Sequence, residues 1–271
     1  MRKFNVIVLV IGLVVTLIGM TGAFYYSKID NKYAEQTVKI SRTFDAERIK
    51  NVELDLRNAK LHIVAGDTFK LEGKTDGKQP KVTTQDGTLK LQLEGEENAQ
   101  MTVNVNPFHD KTYTLYTLTV PRSEMSRFHL KSDWSYVDIA GVSIKEMAVQ
   151  LQKGAFSLEN SQIGTLDGRM EYGAFDVSDT RLDKVAMTVR KGGATFDNVP
   201  ADIPMTLDNQ YGTIDVSFLS PLQNISITTS NQNGLVDLED LTHYDSIKQQ
   251  ETELDKVIDI KNNKGTVTLD D

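Results

Sequence analysis

Trp134, Lys153, Tyr172, Lys191 and Tyr211 recur at intervals of 19, 19, 19 and 20 residues, so aromatic rings and ammonium groups alternate at a nearly fixed period. If that period sets them side by side, they form an exposed strip suited to an extended polymer such as a glycan. The strip can also be self-sufficient: a lysine over an exposed ring contributes about 0.5–1 kcal/mol, and cross-strand pairs add similar amounts. Asn233 and Lys264 continue the series less regularly. A second column, Asp138, Ser157, Asp176, Thr195, Asp215, Asp237 and Thr268, mixes carboxylates with hydroxyls. In chain order Asp215 and Asp237 are neighbours in it, and such a pair could recruit Ca²⁺. Two carboxylates fall short of the roughly six to eight oxygens that Ca²⁺ takes, and a solvated strand face with its charges spaced apart explains the column without a metal.

No catalytic signature accompanies these acids. The chain has no G-x-S-x-G, no phosphate-binding loop and no dinucleotide-binding glycine pattern, so no cofactor is expected. His62, His109, His129 and His243 are scattered without metal-ligand spacing. Some parallel-strand solenoids cleave acidic polysaccharides with acids and a base on one face; the equivalents here would be Asp176, Asp215, Asp237 and Lys191. That is analogy between folds, which does not establish activity, and carboxyl separations of about 5–9.5 Å arise in a regular ladder by accident. The expectation is a protein that is not an enzyme.

The elements that must position these columns are short strands. Val52, Leu54 and Leu56 alternate with polar residues, as do Leu61 and Ile63, then Leu89, Leu91 and Leu93, then Leu118 and Val120; Val103 and Val105 read the same way. From about Arg127 the strands fall into register. A turn position occurs at Ser135, Gly154, Gly173, Gly192, Gly212, Gly234 and Gly265, with spacings of 19, 19, 19, 20, 22 and 31. The second and fourth residues after each are apolar throughout, from Val137 and Ile139 to Val267 and Leu269. A unit this short cannot bury its own apolar face and must stack on copies of itself. The fold expected is all-β: a single-coil β-solenoid of about seven 19–22-residue repeats over 127–271, with an acidic insertion at 239–256 that caps the end, and a less regular β portion over 44–126. Residues 27–43 read as a stalk or a leading strand.

Arg2 and Lys3 precede an uncharged run from Phe4 to Tyr26 that is long enough for a helix to cross a bilayer. Phe24, Tyr25 and Tyr26 lie where an interfacial aromatic belt would. Residues 1–26 therefore read as a single-pass anchor with the C-terminal part outside the cytoplasm. The alternative is a cleaved signal peptide, with Thr21, Gly22 and Ala23 as its cleavage site. Loss of Arg2 and Lys3 takes the net charge from −8 to −10, which disfavours nucleic acid and anionic lipid headgroups as partners. The absence of cysteine excludes disulfides and thiolate metal sites and suits a Gram-positive cell surface.

The anchor, the opening segment Phe44 to Val64, the strand ending in proline at Leu118 to Pro121 and the repeated G-x-φ-x-φ strands (φ, apolar) resemble the bacterial candidate-adhesin family, a domain of unknown function, over about residues 44–269. The resemblance implies a β-solenoid on the outer face of a Gram-positive membrane and carries no catalytic residues over. The function expected is a surface-displayed, non-enzymatic binding module whose partner is a glycan or an envelope or surface protein. A regulatory or structural envelope protein is the first alternative and a polysaccharide-cleaving β-helix enzyme the second.

Overall fold

The structure is a computed structural model and describes residues 38–75, 78–95, 115–238, 240–242 and 256–271. The expected anchor at 1–26, His109, His243, Val103, Val105 and most of the acidic insertion lie outside the described residues. No helix occurs among the described residues. The described residues form nineteen strands, in order β1 (Val38–Phe44), β2 (Asn51–Arg57), β3 (Lys60–Gly66), β4 (Phe69–Thr75), β5 (Lys81–Gln85), β6 (Thr88–Glu94), β7 (Leu115–Pro121), β8 (Met125–Asp133), β9 (Ser135–Ala140), β10 (Ser143–Glu159), β11 (Gln162–Ser178), β12 (Arg181–Val189), β13 (Gly193–Val199), β14 (Met205–Asn209), β15 (Thr213–Phe218), β16 (Ser226–Asn231), β17 (Leu235–Asp237), β18 (Val257–Asn262) and β19 (Thr266–Asp270). The leading strand β1 pairs antiparallel with β4, so residues 38–43 belong to the sheet rather than to a stalk.

Each coil places one strand on each of two parallel ladders. Ladder A runs β6, β2, β8, first half of β10, first half of β11, β12, β14, β18, β16. Ladder B runs β7, β3, β9, second half of β10, second half of β11, β13, β15, β19, β17. Antiparallel β5 extends ladder A, and β4 and β1 extend ladder B, at the β6–β7 end. The segment 44–126 thus supplies two coils to the same stack, β2–β3 and β6–β7.

The stacking order departs from chain order at both ends. Coil β2–β3 lies between β6–β7 and β8–β9, and coil β18–β19 lies between β14–β15 and β16–β17. Interior chemistry accounts for the second insertion. Ile258, Ile260, Val267 and Leu269 are fully buried, whereas the residues matching Ile258 and Ile260 on β16 are Ile227 and Thr229, half-buried and exposed. The more apolar coil goes inside, and the more polar one forms the end.

Coils turn between ladders at the glycine corner. Gly154, Gly173 and Gly192 have φ of 126°, 134° and 122°, a region that side-chain-bearing residues rarely adopt. A Cβ at Gly173 would overlap the carbonyl oxygen of Gly154, so at these three corners the coils stack too closely for a side chain. In the last coils the corner is braced from within by the motif N-x-x-G. Asn209 accepts from the Gly212 N–H at 3.0 Å and donates to the Gly212 carbonyl at 2.9 Å; Asn262 does the same with Gly265, and Asn231 with Gly234. The three asparagines stack in the order Asn209, Asn262, Asn231, and Asn209 donates across to Asn262 at 3.2 Å. At the opposite corner hydroxyls do the bracing: the Val142 N–H donates to Ser161 Oγ and the Ser161 N–H to Thr180 Oγ1.

The interior between the ladders is a continuous apolar cluster, with Ser132, Asn209 and Asn262 as buried polar members near the corner. Phe156, Phe175 and Phe196 form its spine, with ring centroids 4.5 and 6.4 Å apart. Gly168 on the facing ladder leaves room for it, because a Cβ there would press on the Phe175 ring and the Met187 sulfur.

Candidate functional site: the corner ladder and its trough

The residue before each corner glycine points outward, where the corner is too tight for the chain to shield it. The column reads, in spatial order, Trp134, Lys153, Tyr172, Lys191, Tyr211, Lys264, Asn233. Aromatic and lysine alternate through six rungs without a break. Chain order sets Asn233 beside Tyr211; the inserted coil puts Lys264 there instead and completes the pattern. Each lysine covers the ring one rung before it: Lys153 Nζ lies 4.8 Å from the Trp134 centroid, Lys191 5.5 Å from Tyr172 and Lys264 5.6 Å from Tyr211. One face of each ring is therefore occupied from within the protein, yet Trp134, Tyr172 and Tyr211 remain 46%, 40% and 50% exposed.

Four residues further along each strand, on ladder B, lies the acid and hydroxyl column. Its spatial order is Thr117, His62, Asp138, Ser157, Asp176, Thr195, Asp215, Thr268, Asp237. The adjacency expected of Asp215 and Asp237 is not found: Thr268 pairs with both and stands between them, about 9.6 Å apart by strand spacing. The metal reading of that pair loses its geometry, because the coil that carries Thr268 is the one that stacks out of order. No cluster of three or more potential metal ligands occurs among the described residues. Within the column no two carboxylates are neighbours, which keeps repulsion near or beyond the screening length of about 8 Å at physiological salt. His62 Nδ1 lies 2.8 Å from Asp138 Oδ2.

Between the columns runs a floor of small residues, Ala155, Ala174, Gly193, Thr213 and Thr266. It is closed at its ends by Tyr136 and Leu235, both exposed and in register with it. Lys60 Nζ lies 5.5 Å from the Tyr136 centroid at the near end. Register thus lays a strip of small residues along the stacking axis, a trough by side-chain size, with rings and ammonium groups on one side and carboxylates and hydroxyls on the other. Sequence spacing located both walls. It missed the floor, the His62 pair and the true rung order.

On the other side of the same corner, ladder A carries a shallow concavity of about 390 Å³ lined by Asp55, Arg57, Lys131, Asp133, Gln150 and Arg169 among others. Charges of both signs interleave there. At its edge Arg190 donates to Glu171 at 2.8 Å, a hydrogen bond that, with the carboxylate's charge, raises the guanidinium pKa above its usual value. The proposed enzyme set, Asp176, Asp215, Asp237 and Lys191, is spread over separate rungs of the trough.

Stacked two-strand coils with outward ladders define an all-β, solenoid-like repeat protein. The chain belongs to the Toastrack DUF4097 family, whose model matches residues 117–270, and the domain's function is unknown. Among curated proteins nothing matches significantly. Similar solved structures include a candidate cell adhesion protein from Clostridium sporogenes (11% identity, TM-score 0.40, covering 86% of this chain and 99% of that one). Others are a candidate adhesin from Bacteroides fragilis (12%, TM-score 0.35, 86% and 97%) and one from Parabacteroides distasonis (9%, TM-score 0.40, 86% and 96%). Likenesses this distant carry no functional weight.

Proposed function

We propose that this protein is a non-enzymatic binding module, displayed outside the cell membrane on its N-terminal segment, that holds an extended polymer of the envelope along the corner trough. One observation carries the reading: rings and lysines alternate through six successive rungs at the corner, and Trp134, Tyr172 and Tyr211 stay exposed although a lysine lies over each. The lysine–ring contacts stabilise the ladder by about 0.5–1 kcal/mol each, and the rings keep much of their surface open besides. A regular array of rings, cations and carboxylates on a rigid stack offers repeated contacts to a repeated ligand, and each weak contact adds to the others through effective concentration. Among the described residues no nucleophile, base and oxyanion donors converge in the trough, and the reading taken is binding rather than turnover.

The full chain should bind isolated cell-wall material, and Trp134→Ala combined with Tyr172→Ala should weaken that binding at least tenfold while leaving the circular dichroism spectrum unchanged. Equal binding by the double variant would remove the trough from the function.

A further inference from the structure

The trough has a repeat of its own, twice as long as the coil. A rung bearing an aromatic ring also bears a carboxylate, as in Trp134 with Asp138 and Tyr172 with Asp176; the next bears a lysine and a hydroxyl, as in Lys153 with Ser157. Like groups thus recur every second rung, about 9.6 Å. We infer that the ligand is a neutral, extended β-1,4-linked glycan lying along the stacking axis, one sugar to each rung. This rests on the polymer-binding reading above and names its substrate class.

Three physical matches select that class. The first is period. In an extended β-1,4 glycan successive sugars are flipped by a half-turn, so like groups return to one side only at every second sugar, and each sugar advances by nearly one rung. An extended polypeptide repeats every two residues, about 6.8 Å, and falls out of phase within a few rungs. The second is charge. Each two-rung unit offers one ammonium group and one carboxylate, and the chain carries a net charge of −8, so a polyanion gains nothing from the trough that the carboxylate wall does not take back. The third is polarity. A polyproline II helix repeats every three residues, about 9.3 Å, and would also keep phase, but proline residues carry no N–H or O–H donor to meet the carboxylates and hydroxyls along one wall. Ammonium groups, carboxylates and hydroxyls are instead the partners that sugar hydroxyls require. The small floor leaves width for a single chain, and Tyr136 and Leu235 set its length at five rungs.

The test is calorimetric titration of the full chain with β-1,4-linked N-acetylglucosamine and glucose oligomers of two, four and six sugars, with α-1,4 glucose oligomers and poly-L-proline as comparators. Affinity should rise at least tenfold from two to four sugars and level off by six, and α-linked oligomers should not bind. Ala174→Trp, which fills the floor from an outward position, should abolish binding with no change in melting temperature; Tyr211→Ala with Lys191→Ala serves if that variant fails to fold. β-Glycan binding that ignores length, matches the α-linked series or survives Ala174→Trp overturns the inference while leaving polymer binding intact. Binding of poly-L-proline in place of glycan does the same. Failure of every polymer and of cell-wall material overturns both.

Discussion

Ser132 is the one buried side-chain polar atom among the described residues that finds no partner. It is 5% exposed and occupies the interior column whose other members are apolar or asparagine, Leu56 and Leu151 beside it and Asn209 further along. An asparagine there would brace the corner as Asn209 does, and a leucine would fill space; serine does neither. Burying a hydroxyl without a hydrogen bond costs about 1–3 kcal/mol, so Ser132→Ala should raise stability by about 1 kcal/mol. The urea midpoint, read at constant slope, checks this; a lowered midpoint would mean that the hydroxyl is satisfied in solution. At this scale the sequence was readable: every second and fourth residue after the corner faces inward, and alternation breaks where two outward residues intervene, as between Ile144 and Met147 or at the bulge between Phe196 and Val199. An unsatisfied hydroxyl cannot be read the same way, because satisfaction depends on neighbours from other coils.

Pairs of strands are where chain order and spatial order part company. Periodicity assigns each strand to a coil, yet nothing local says which coil it touches, since parallel partners are chosen by the match of two interiors. The clues were present as broken patterns: Tyr211 followed by Asn233, Asp215 followed by Asp237, and Thr229 at an interior position. The N-x-x-G motif at Asn209, Asn231 and Asn262 was a further sign, for it marks three coils built to stack on one another. Asn262 is the central member: besides Gly265 it donates to the Leu235 carbonyl at 2.8 Å and accepts from Asn209. Asn262→Ala should therefore cost about 2–4 kcal/mol, from several unmade bonds and the polar groups left buried. Hydrogen exchange should show the loss of protection concentrated in β16 to β19. Uniform loss along the stack would contradict the role given to the asparagines.

Across the whole molecule, stability is a sum over neighbouring coils, as expected of a quasi-one-dimensional stack. Removing an end coil should matter less than removing one from within. Residues 256–271 form an inner coil although they come after the end coil in sequence. Deleting them exposes the place of four fully buried side chains, Ile258, Ile260, Val267 and Leu269, each worth about 1.5–3 kcal/mol on burial. The deletion should lower the unfolding midpoint sharply and release β16 and β17 to proteolysis. A synthetic peptide of residues 256–271 should restore both. Should the shortened chain keep its midpoint, β16–β17 has closed directly onto β14–β15, and the three asparagine coils are interchangeable.

The out-of-order coil also sets a timetable. As the polypeptide is made, β16 and β17 arrive before β18 and β19, yet their permanent neighbours are the strands that follow them. They can dock early in the wrong place and be displaced, or they can wait. In either case this end of the protein cannot be completed by adding each coil to the last. The other end behaves likewise, where β2–β3 is the first coil to emerge and acquires both flanking coils later. Only the middle, from β8 to β15, can be laid down in the order of synthesis, and it is there that the trough is most regular.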